Sequence, residues 1–283
     1  MISKGPTRQA ATGQAGGVEA ALQRAASAIQ SGNITEAERA AFEVLKTHPG
    51  DARAAHIYGR ALHAQGRGQD AIAPLERAAQ QSRNPILETQ LGMLLRGAER
   101  PSDALKVFER AIRRQPPFPP AFLEYGSLLL ALFRYDEAIG VLERGLALAP
   151  NFAEILVHLG TAYAARGERD RAAAMFSRAI ANAPGDPDSM FIIATLMKNS
   201  HCFGQASGLF KRLVDINPKD NAARISLGVC LLELGETAAA LDQLRAASSA
   251  STKAFGDVLG AAASAGNGRF WLSRSAAKRV FGG

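Results

Sequence analysis

The chain has 283 residues, of which 47% are hydrophobic, and a net charge of +7. No run of ~18 or more apolar residues occurs, which excludes a transmembrane helix, and residues 1–17 lack the apolar stretch of a secretory signal, so a cytoplasmic location is expected. The surplus charge lies in the flanks, +2 in residues 1–17 and +4 in residues 251–283, which leaves +1 for everything between. A nucleic-acid groove would instead concentrate positive charge along its face with aromatics for stacking, so the distribution argues against nucleic acid as a partner.

Taken in order, residues 1–17 carry Gly, Gln, Thr and Ala and read as a disordered leader. Seven units of two helices follow, near 18–51, 52–84, 85–118, 119–152, 153–186, 187–220 and 221–254. The first has Arg24-Ala25 where others place an apolar residue and glycine, and reads as a degenerate capping unit. The second is one residue short, and Pro74 in its second helix is expected to bend or delay that helix. The run 116–120, four prolines around Phe118, stiffens the third junction and is compatible with a helix starting near Pro120. Asn151 with Glu154 offers a box-like cap to the fifth unit, and Asp186-Pro187 an N-cap followed by proline for the sixth. Glycines at Gly32, Gly66, Gly167 and Gly235 mark turns within units. Residues 255–266 read as a capping helix and 267–283 as a basic amphipathic tail.

The units are tied together by one period. Ala37, Ala71, Ala104, Ala138, Ala172, Ala206 and Ala240 recur every 33 or 34 residues. Twelve residues before each stands a small residue (Ala25, Gly59, Gly92, Gly126, Gly160, Ala194, Gly228), and twelve after most stands a proline. Such a period marks a solenoid of stacked hairpins, each burying its apolar face against its neighbours. Because glycine inside a helix costs roughly 1 kcal/mol relative to alanine, these glycines need a packing reason, and the recurrent alanine is the expected opposite partner. Leu159, Gly160, Tyr163, Gly167, Ala172, Phe176, Ala179 and Pro184 resemble the tetratricopeptide repeat in every marker position. That resemblance, running from about Val18 to Ala254, implies an all-α fold: a right-handed superhelical α-solenoid of about seven helix-turn-helix units with a C-terminal capping helix.

The resemblance also implies a non-enzymatic interaction scaffold whose first helices line a concave groove for a peptide. Carried over by alignment, the groove positions are Arg53, His56, Arg60 and His63; Ile86, Thr89, Met93 and Arg96; Leu123, Ser127 and Leu130; Glu154, Val157 and Thr161; Asp188, Phe191, Thr195 and Lys198; and Ile225, Val229 and Leu232. Arg53, His56, Arg60 and His63 recur at 3- and 4-residue steps on one helix face. Beside the apolar Met93, Leu123, Leu130, Val157, Phe191, Ile225 and Val229, they suggest a ligand with an acidic end held by Arg53, Arg60 and Arg96 and an apolar body. The lysine, asparagine and arginine clamp by which some of these proteins hold chaperone C-termini is absent, since Leu22, Ala26, Gly59 or Arg60, and Ile86 occupy its positions.

A second contact is expected from the tail, where Arg269, Phe270, Trp271, Arg274, Lys278 and Arg279 join basic charge to aromatic bulk, as a peripheral contact with an anionic membrane or an assembly partner requires. No catalytic group emerges. His48, His56, His63, His158 and His201 lack metal-ligand spacing, and Cys202 and Cys230 make no disulfide framework and read as buried fillers. Gly66-Arg67-Gly68 lacks the lysine and strand of a phosphate loop. Neither cofactor nor metal is expected.

Overall fold

A computed structural model describes residues 8–182, 186–248, 257, 258 and 260, with side chains from Gly17 onward. All regular structure among them is helical: α1 (Arg8–Gln30), α2 (Ile34–Thr47), α3 (Ala52–Ala64), α4 (Gly68–Ser82), α5 (Pro85–Gly97), α6 (Pro101–Ala111), α7 (Pro119–Ala131), α8 (Tyr135–Leu148), α9 (Ala153–Ala165), α10 (Arg169–Asn182), α11 (Pro187–Asn199), α12 (Phe203–Ile216), α13 (Asn221–Glu233) and α14 (Thr237–Ser248). None of the described helices is long and apolar enough to cross a membrane. The chain forms two compact units, Met1–Glu137 and Ala138–Gly283.

In the first unit α1/α2, α3/α4 and α5/α6 pair as hairpins, and each hairpin packs on the next through α2/α3, α4/α5 and α6/α7. Successive first helices also touch (α1/α3, α3/α5, α5/α7), an extent of contact that no pair of second helices reaches. The first helices therefore form the tighter layer of this unit. The second unit repeats the scheme with α9/α10, α11/α12 and α13/α14, and α11 touches α13.

The helix starts follow local chemistry. The side chains of Asn33, Asp51, Asn84, Asp186 and Asp220 accept hydrogen bonds from backbone N–H groups of the first turn, and proline occupies the opening of α5, α6, α7 and α11. Three expectations are corrected. Asn151 does not cap α9, whose N-cap is Phe152 without a side-chain bond. Pro74 lies within an uninterrupted α4, its missing donor falling in the second turn. Helical backbone begins at Arg8, inside the segment read as a leader, where Ala and Gln favour helix.

A left-handed turn residue recurs with the same period as the alanine. Gly32, Gly66, Gly167 and Gly235 take φ between 74° and 81°, and Glu99, Phe133 and His201 hold the equivalent positions at 58–60°. Non-glycine residues there cost roughly 1–2 kcal/mol, while glycine loosens the unfolded chain by roughly 0.4–1 kcal/mol. Glu99→Gly is therefore expected to raise stability by about 0.5–1 kcal/mol, read as a higher urea midpoint for the first unit. A lower midpoint would show that the Glu99 side chain itself holds the turn.

The helix-borne glycines have the close contact the sequence demanded, with a different partner. A Cβ on Gly92 would lie 2.5 Å from the Phe108 ring, on Gly160 2.8 Å from Phe176, and on Gly228 2.7 Å from Leu244. The contacting residue is thus four positions beyond the recurrent alanine, one turn further along the second helix. The alanines are fully buried between helices, but the large side chain after them occupies the space each glycine leaves.

Several buried groups complete the core. Glu88 is 1% exposed, and its carboxylate accepts from Arg114 Nη2 at 2.7 Å and Nε at 3.0 Å, with Arg110 Nε at 3.8 Å. In the second unit Tyr163 donates its phenol proton to Glu143 at 2.5 Å under the Arg171 guanidinium; burial first, then the carboxylate, push that phenol up to about 12. Cys202 and Cys230 are buried free thiols, and burial raises both, Cys230 to about 12. Val258, from the expected capping helix, is fully buried against Leu232, Ala240, Leu244 and Ala247. The expected tail, 267–283, lies outside the described residues.

Candidate functional site

The tighter face of the first unit is built by α3, α5 and α7, and the four polar residues read from α3 diverge in role. Arg53 is tied to Glu19 at 3.0 Å and to Asp51 at 3.9 Å. Arg96 on α5 is paired with Glu124 on α7 at 3.1 Å. Both were expected to accept a ligand's acid. Ion pairs to neighbouring first helices engage both, whereas Arg60 is exposed and has no acidic partner among the described residues.

His56 is half-buried and shares a hydrogen bond with Gln90 on the next first helix, Nδ1 to Oε1 at 2.8 Å. The Gln90 amide nitrogen donates to the His56 carbonyl at 3.2 Å. With the amide so oriented, Nδ1 carries the imidazole proton and Nε2 is the free acceptor. Burial pushes His56 below the usual imidazole range, the Gln90 bond opposes that, and the Arg60 charge adds to it. His56 is accordingly neutral near pH 7.

These helices enclose a cavity of about 290 Å³ lined by His56, Arg60 and His63 from α3, by Ile86, Thr89, Gln90, Met93 and Leu94 from α5, and by Phe118, Pro120 and Glu124 at the start of α7. Its walls are largely apolar, and the polar members are mostly satisfied within the protein: Thr89 Oγ1 donates to the Pro85 carbonyl at 2.6 Å, Gln90 bonds His56, and Glu124 bonds Arg96. Arg60 and His63 remain as the outward polar groups. A second depression of about 460 Å³ shares His63, Met93 and Leu94 and continues to the turn 66–70. Met93 and Ile86, which both line the first cavity, are 42% and 43% exposed.

Of the residues read from the sequence, His56, Arg60, His63 and Met93 come together in this cavity. Leu123, Ser127 and Leu130 lie half-buried on α7 and do not line it. Ile86 and Thr89, aligned with Arg53 and His56 in the same groove set, line it as well. Phe118 and Pro120 come from the junction, which sequence periodicity does not place.

In the second unit Val157, Thr161, Phe191, Thr195, Lys198, Ile225 and Val229 are half-buried on α9, α11 and α13. Phe191 packs edge-on against Phe210 at 5.7 Å, and Lys198 Nζ lies 6.0 Å above the same ring. Ile225 and Val229 pack on the cluster that includes Val258. Ile192, beside the aligned groove position Phe191, is an exposed apolar residue of α11 at 59%. The Thr195 hydroxyl is buried without a partner among the described residues. Arg269, Phe270, Trp271, Arg274, Lys278 and Arg279 fall outside the described residues. Among the described residues no group of three or more His, Cys, Asp or Glu is placed to hold a metal.

Models of the tetratricopeptide repeat match residues 22–85, 89–151 and 195–255, and a further one matches 129–189. No protein with curated function matches the chain. Among solved structures, PilF of Pseudomonas aeruginosa is 18% identical over 73% of this chain and 94% of its own, with a TM-score of 0.60. A Cut9 and Hcn1 assembly of the APC/C is 18% identical over 76% of this chain and 43% of that one, TM-score 0.58. YrrB, described as having an unusual peptide-binding site, is 21% identical over 65% of this chain and 95% of that one, TM-score 0.50. At these identities the likeness is one of fold.

Proposed function

The chain belongs to the tetratricopeptide repeat family, and we propose on that premise that it is a non-enzymatic interaction scaffold whose α3/α5/α7 cavity takes a partner segment with an apolar body and an acidic end. One observation carries this reading. The cavity is apolar, its internal polar groups are paired with one another, and at its edge beside His63 stands Arg60, a cation with no acidic partner among the described residues. Exposed apolar side chains gathered in a depression mark an interaction site, and charge at the rim sets orientation and approach more than raw affinity.

N-acetylphenylalanine supplies both chemistries at minimal size. Titrated into the full chain and followed by NMR of the Met93 methyl group, it is expected to shift that signal more than N-acetylphenylalaninamide does, and both more than N-acetylalanine. Arg60→Ala should abolish the difference between acid and amide while keeping the response to the aromatic body. Arg53→Ala should change neither, because Arg53 is already paired. Equal responses to all three probes, or shifts confined to other methionines, would remove the cavity from the proposed function.

A further inference from the structure

We propose that this protein associates head to tail with its own copies, the α7–α8 turn of one molecule seating Phe133 in the α3/α5/α7 cavity of the next; the proposal rests on the reading of that cavity as a binding site. Phe133 is 77% exposed, more than any other large apolar side chain among the described residues. It also holds the left-handed turn position that glycine fills in four of the seven turns. A bulky aromatic residue is disfavoured there twice, by water and by its own backbone, and such an outlier points to a use. Leu132 beside it is exposed, and the Tyr135 ring supports it edge-on at 6.2 Å, so the turn presents an apolar tip.

The cavity suits such a tip better than it suits a helix. At about 290 Å³ it lies at the lower bound of small-ligand sites, roughly 300–1,000 Å³, and a helix about 10–12 Å across does not enter it. One large side chain projecting from a tight turn does, against Ile86, Met93, Leu94, Phe118 and Pro120. Within the turn Arg134 and Glu137 pair with each other at 2.6 Å, so the seating is carried by apolar fit and not by charge. A molecule cannot satisfy itself. The thirteen residues of α7 span about 20 Å, with Pro120 and the cavity at one end and Phe133 beyond the other. A contact between two different patches is heterologous, so it extends from copy to copy and does not close on a two-fold axis.

Sedimentation velocity of the full chain over a rising concentration series tests this. Wild type is expected to grow in mass with concentration. Phe133→Gly removes the tip at a position whose backbone suits glycine, and Met93→Glu charges the cavity at an exposed site, so neither threatens the fold. Each alone should weaken association by about tenfold or more. Mixed together, the two variants should form a 1:1 complex that grows no further, because one intact tip meets one intact cavity. A monomeric wild type, association that survives in either variant, or a mixture that stays monomeric would each overturn the proposal. If wild type is monomeric while N-acetylphenylalanine still shifts Met93, self-association fails and the cavity reading stands; if neither occurs, both fail.

Discussion

Arg114→Ala is expected to destabilise the first unit by about 3–5 kcal/mol, the range for breaking a buried ion pair from one side. The asymmetry of the pair decides which side matters. Glu88 is 1% exposed and Arg114 27%, so losing the arginine strands a carboxylate in the core with only Arg110 at 3.8 Å to face it. Losing the charge on Glu88 leaves two guanidinium groups that can turn to water, and Glu88→Gln should cost less, about 1–3 kcal/mol. Replacing both partners at once, with Glu88→Leu and Arg114→Met, should recover most of the loss, since a buried pair rarely outperforms well-packed apolar groups. Hydrogen exchange of the α5 and α6 amides is the suitable readout, because a repeat array need not melt as one cooperative block. An Arg114→Ala protein with unchanged protection in α5 would mean that water already screens Glu88.

The hairpins were legible because the alanine, glycine and turn residues repeat with one period, and the turn at Glu99, Phe133 and His201 could have been read from that period although no glycine marks it. Glu88 was also legible in principle. Of its repeat equivalents, Ala21, Ala55, Phe122, Leu156 and Met190 are buried and apolar while Arg224 is half-buried, so a fully buried acid in that register calls for a buried partner. The identity of that partner was not legible, because Arg114 sits past the end of α6 and only packing brings it back to α5. The same limit explains the site. Periodicity placed Arg53, His56, Arg60 and His63 on one face, but whether a guanidinium is free depends on the neighbouring helix, and Glu19 and Glu124 claim Arg53 and Arg96. Periodicity cannot see Phe118, because the junction that carries it belongs to no helix face.

Gly92→Leu is expected to cost about 3 kcal/mol, near the upper end for overpacking a close contact, and the loss should depend on Phe108. The added Cβ alone would meet three Phe108 ring atoms within 2.8 Å, and that ring is fully buried and cannot swing out. Gly92→Ala sets two effects against each other: helix propensity returns roughly 1 kcal/mol, the clash takes roughly 1–3 kcal/mol, and a net loss of about 1 kcal/mol remains. Phe108→Ala alone should cost about 3–5 kcal/mol through the cavity it opens. In the double variant the introduced leucine side chain grows into that cavity, so the combined loss should fall short of the sum by an interaction energy of about 1–3 kcal/mol. The recurrent alanine gives the control. If Ala104 were the true partner, as the sequence pattern suggested, Gly92→Leu would couple to Ala104→Gly and add independently to Phe108→Ala. Urea unfolding of the four proteins in each cycle separates the two arrangements, and strict additivity with Phe108→Ala would show that the glycine is needed for something other than the aromatic ring it faces.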